Sequence, residues 1–92
     1  MTRPASFVFL LLAVASSQAV ASNWTTAMDN KRKCETAAHE AQKARVPSAN
    51  HYVQCAKEFE TAARYFREND QSYNGKTAFQ RGLDQYNRGN MR

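Results

Sequence analysis

The chain has 92 residues, 42% of them hydrophobic, and carries 13 Lys or Arg against 8 Asp or Glu, a formal charge of +5. This length holds one small domain. The positive excess is mild: it suits solubility and weak contact with anionic surfaces, and it lacks the dense basic patches that mark nucleic-acid binders.

Residues 1–21 read as a secretory signal peptide. Arg3 supplies the positive start, Phe7 to Val14 is an unbroken apolar run, and Ala19-Val20-Ala21 before Ser22 fits a small-residue cleavage site. The apolar run falls far short of the roughly 20 residues of a membrane-spanning helix, so no span is expected. No cysteine follows it to carry a lipid anchor. Removing 21 of the 92 residues leaves 71, and losing Arg3 lowers the charge from +5 to +4. The mature chain is expected in the periplasm or outside the cell as one small domain, residues 22–92.

An all-α fold is expected: an antiparallel helical hairpin plus a short third helix, stapled by one disulfide. The first helix is placed at about 26–44, with Ala27, Cys34, Ala37, Ala38 and Ala41 on one face. Thr26, three residues before Asp29, resembles a capping arrangement. Such an alanine face lets a partner helix approach closely, so the larger side chains must come from elsewhere, with Phe59 and Phe66 as donors. Pro47 forces Val46 out of helical geometry and so places a turn between Arg45 and Asn50.

The second helix, about 49–69, carries the strongest periodic signal. Tyr52, Cys55, Ala56, Phe59, Ala62, Ala63 and Phe66 form a single stripe, with Ser48 or Asn50 as cap. Two helices joined by so short a turn pack antiparallel. Ser72 to Gly75 reads as a second turn, followed by a helix over about 76–87 whose apolar edge is Phe79, Gly82, Leu83 and Tyr86. Gly89 to Arg92 reads as a frayed tail.

A domain this small has little core, and burial alone rarely supplies more than about 3–5 kcal/mol. Cys34 and Cys55 lie on inward faces either side of the turn, and export takes them to an oxidising space, so they are expected to pair. Their levels match imperfectly unless the first helix ends near Lys43. The competing reading, a Cys2His2 zinc set with His39 and His51, fails on spacing: Cys34 and His39 are five apart, about 140° around a helix. No metal and no cofactor are expected.

No nucleophile elbow, zinc-protease motif or glycine-rich phosphate loop occurs, and Gly75, Gly82 and Gly89 read as isolated, so no enzyme is expected. Trp24, Tyr65, Tyr73 and Tyr86 exceed what a small core needs, and such aromatics favour sites with one buried and one wet end. Together with the Lys31-Arg32-Lys33 run, which reads otherwise as a solvated helix face, they are the candidate binding residues. Asn23-Trp24-Thr25 matches a glycosylation acceptor in a eukaryotic host.

The expected function is binding another macromolecule, in an inhibitor, immunity, adaptor or small effector role, with another protein as partner. A second copy of the chain could also fill the alanine-lined groove. The alternatives are a cationic membrane-active peptide or toxin, disfavoured by the mixing of Glu with Lys, and a metal- or stress-responsive envelope protein.

Overall fold

Ser22 starts the first helix. Its hydroxyl accepts the Thr25 amide at 3.0 Å, an N-cap that satisfies one of the free first-turn donors. The computed structural model describes residues 22–91, and the expected signal peptide lies outside them, as does Arg92. Helix α1 covers Asn23–Ala44, α2 covers Ala49–Glu68 and α3 covers Tyr73–Asn90. The central helix α2 packs against α1 on one side and α3 on the other.

The expected Thr26 start of α1 is thus three residues late. Thr26 donates its hydroxyl to the Ser22 carbonyl, and Asp29 is taken by Arg32 at 2.6 Å, so neither acts as a cap. At the far end the Arg45 amide donates to Gln42 O and the Val46 amide to Ala41 O, both at 3.1 Å. These two bonds form a Schellman motif, with Arg45 in the left-handed conformation at φ 59°. This reversal lets α1 run on to Ala44, beyond the Lys43 end that cysteine levelling had required. Cys34 and Cys55 bond with their Cα atoms 5.8 Å apart.

Helix α3 departs furthest from expectation. Its N-cap is Ser72, whose Oγ accepts the Gly75 amide at 3.1 Å, so Tyr73 to Gly75 form the first helical turn rather than a loop. The connection to α2 shrinks to 69–72, where the Ser72 amide donates to Asn69 O at 2.9 Å. Nor does the chain fray at Gly89. The helix continues to Asn90, and Gly89 is buried beneath Tyr52. Leu83, expected on the apolar edge, is exposed.

The three glycines explain why. Gly75, Gly82 and Gly89 recur every seven residues along α3, as Tyr52, Phe59 and Phe66 do along α2, and the antiparallel helices seat each ring on one glycine. A Cβ on Gly75 would lie 2.6 Å from Phe66, one on Gly82 2.8 Å from Phe59, and one on Gly89 2.7 Å from Tyr52. Read one at a time they look like breakers. Read as a heptad they are sockets, because seven residues return a helix to within about 20° of the same face.

Phe79 completes this layer. Its ring meets Phe59 edge-on at 5.1 Å and Phe66 at 6.4 Å, arrangements worth about 0.5–1.5 kcal/mol each beyond area burial. Against α1 the core is Ala27, Cys34, Ala38 and Ala41.

Two measurements probe these supports. Gly82→Ala gains about 1 kcal/mol of helix propensity but forces Phe59, 1% exposed, to move. Overpacking of about 1–3 kcal/mol dominates, and the melting temperature by circular dichroism falls by roughly 5 °C. Adding Phe59→Leu returns part of that loss, because the two positions are coupled. Replacing Cys34 and Cys55 with serine costs roughly 3 kcal/mol on the chain-entropy account, seen as a lower urea midpoint that reductant shifts no further.

Candidate functional site

The two cysteines are consumed by their mutual bond and are buried, at 1% and 0% exposure. The Cys2His2 alternative is therefore not assembled. His39 is exposed, and His51 Nδ1 lies 2.9 Å from Gln85 Oε1 across α2 and α3. Among the described residues no group of three or more His, Cys, Asp or Glu side chains is placed to hold a metal. None of their polar or charged side chains is buried.

At the Ser22 end, α1 is tied to the α2–α3 connection. The Asn23 amide donates to Asp70 Oδ1 at 2.9 Å, and the Asn23 side-chain Nδ2 donates to Asp70 O at 2.6 Å. The Asp70 carboxylate thus sits at the positive end of the α1 dipole, where a negative charge is favoured. The second of these bonds engages the nitrogen that glycosylation would modify.

Next to this tie, the Arg67 guanidinium lies 5.8 Å from the centre of the Trp24 ring. A cation over the face of an indole is attracted by its electron-rich π cloud. Trp24 remains 37% exposed beside it.

The predicted binding residues divide into groups. Trp24, Lys31 and Arg32 come together, lining a shallow depression along α1 with Met28, Asp29 and Glu35. Its charges are internally paired, Lys31 with Glu35 at 3.2 Å and Arg32 with Asp29 at 2.6 Å. Lys33 lines instead a groove between α1 and α3, with Asp29, Arg32, Thr36 and Tyr86.

Tyr86 is half-buried, its ring 5.7 Å from Tyr52, and it packs over the Cys34, Cys55 and Phe59 cluster. Its first role is to cover the disulfide. Tyr65, in the last turn of α2, and Tyr73, the first residue of α3, lie at the Trp24 end but on other helices; Tyr73 is 81% exposed.

Sequence reading missed two features. The first is Arg67, for nothing local announces its contact with Trp24, 43 positions earlier in a 92-residue chain. The second lies at the opposite end, where Val46, Pro47, Ser48, His51, Arg88 and Met91 line a common depression. The available signal was the absence of any acidic residue from Ala41 to Lys57.

No protein-family model matches the chain, and comparison with curated proteins and with solved structures also gave no match.

The Asp70 tie is open to test. Asp70→Ala removes the bond to the Asn23 amide and the charge at the helix start, at a cost of about 1 kcal/mol. Amide exchange over the first turn of α1 rises while the disulfide-anchored middle stays protected.

Proposed function

We propose that this is an exported, non-catalytic binding module that recognises another protein through the Trp24 end of α1. The disulfide supports export, because such bonds persist in oxidising compartments. No described helix is long and apolar enough to cross a membrane, which is compatible with release after the leader is removed.

The observation that carries the reading is Trp24 itself. It is the single tryptophan of the chain, in contact with Arg67, partly exposed, and lines a depression with Lys31, Arg32, Asp29 and Glu35. Tryptophan and arginine dominate the energetics of protein interfaces, because both offer large contact area with a polar handle. Charges of both signs around the ring suit a polypeptide of mixed charge better than a polyanion. The same interleaving disfavours a membrane-lytic helix, which segregates its cations from its bulky apolar residues. Inhibitor, immunity, adaptor and small effector roles all use such a surface.

The test is affinity capture from the source organism's envelope and medium, with oxidised residues 22–92 as bait. One stoichiometric protein partner is expected, held about tenfold or more less tightly by Trp24→Ala although the far-UV spectrum is unchanged. Equal capture by parent and variant would move the site away from α1.

A further inference from the structure

The end of the bundle opposite Trp24 joins exposed apolar side chains to positive charge. Val46 and Met91 are 37% and 72% exposed. With Pro47, Ser48, His51 and Arg88 they line one depression where the α1–α2 turn meets the end of α3. Lys43 and Arg45 flank that turn in the chain and are also exposed. No Asp or Glu occurs from Ala41 to Lys57 or after Asp84, and Asp84 is itself paired with Arg88 at 3.0 Å.

Helix dipoles account for part of this. Lys43 and Arg88 sit in the last turns of α1 and α3, where a cation complements the negative helix end. They do not account for Arg45, which holds a left-handed position that glycine would fill at less cost. Neither do they explain why apolar Met91 stands in water beside Val46 and Pro47, which the reversal after α1 places there.

We propose that this tip is a peripheral docking site for an anionic phospholipid surface. Lys43, Arg45 and Arg88 beside the exposed Val46 and Met91 match an anionic bilayer, where each Lys or Arg near the leaflet adds its own attraction and small apolar groups enter among the headgroups. Lys43, Arg45 and Arg88 meet the phosphates while Val46 and Met91 lead into the interface. The bundle stays folded and the membrane stays intact.

Residues 22–92 serve as the test protein, because they hold all three helices and the disulfide and lack the apolar leader run, which would bind lipid by itself. Co-sedimentation is measured on vesicles of phosphatidylglycerol with phosphatidylcholine and on phosphatidylcholine alone. Binding is expected on the anionic vesicles only, released by salt and without leakage of a trapped dye. Lys43→Gln, Arg45→Gly and Arg88→Gln together weaken it on the order of 100-fold. Val46→Asn with Met91→Gln, all cations kept, weakens it roughly tenfold.

Lys43→Glu alone gives the electrostatic answer if the triple variant loses helicity. Failure to bind anionic vesicles, or binding that neither set of substitutions changes, overturns the proposal. So does equally strong capture by polyglutamate that ignores Val46 and Met91, which would point to an acidic protein instead. Trp24→Ala leaves vesicle binding untouched, so this result stands apart from that of the capture experiment.

Discussion

The fit of three aromatic rings into three glycine sockets governs this fold. Phe66 on Gly75, Phe59 on Gly82 and Tyr52 on Gly89 set the register, the direction and the closeness of α2 and α3 at once. A one-residue slip of either helix turns its face by about 100° and drives a ring into a side chain instead of bare backbone. Three sockets must be satisfied together, so alternative pairings are excluded cooperatively. The arrangement also lets a short chain bury large rings, because each glycine frees the volume its partner fills. Of the three, only Gly89 lies under a half-exposed ring, and there Tyr52 is fixed further by donating its hydroxyl to Asn90 Oδ1 at 2.6 Å.

The other half of the molecule uses a different device. α1 offers α2 mainly alanine, which removes little apolar area from water and contributes correspondingly little. Alanine against alanine also specifies register poorly, since every position looks alike. Ala27, Cys34 and Ala41 are spaced by seven, as are Cys55 and Ala62 running the other way, so the disulfide occupies a repeating contact position and fixes the register that packing leaves loose. The Schellman reversal at Arg45 and the Asp70 tie at Asn23 then hold the two ends of α1. The α2–α3 half is thus ordered by shape, and α1 by covalent and polar attachment.

The difference determines what was legible in the sequence. The α2 stripe, the turn at Pro47, the three-helix count and the cysteine pair all rest on periodicity or on residue types with a single dominant meaning. The starts of α1 and α3 were misplaced because Ser22 and Ser72 cap helices whose first turns carry Asn and Gly, which local propensity assigns to turns, beside Trp and Tyr, which lose rotamer freedom in a helix. The sockets were missed for the same reason: a glycine is a breaker by itself and a packing partner only when the facing ring is known. At the candidate site, aromatic composition singled out Trp24, but its pairing with Arg67 is a long-range contact that no window of sequence contains. Tyr86 was expected at a binding surface, and its packing over the disulfide could not be read from composition, because amphipathic rings serve equally as core covers and as interface anchors.

The two proposed surfaces lie at opposite ends of a rigid rod. Trp24 opens α1 and Val46 follows its last turn, so a 22-residue helix separates them by about 33 Å at 1.5 Å per residue. That span exceeds the Debye length of about 8 Å at physiological salt several-fold, so the cations at the Val46 tip neither help nor hinder a partner arriving at Trp24. α1 is gripped through its middle by the disulfide and at its start by Asp70, so it does not hinge between them. A protein anchored at the Val46 end would hold its Trp24 end away from the anionic surface, with the ring and its mixed-charge surround facing the surrounding solution. With an aromatic ring among charges of both signs at one end, and cations with exposed apolar side chains at the other, the two proposed contacts would be made independently.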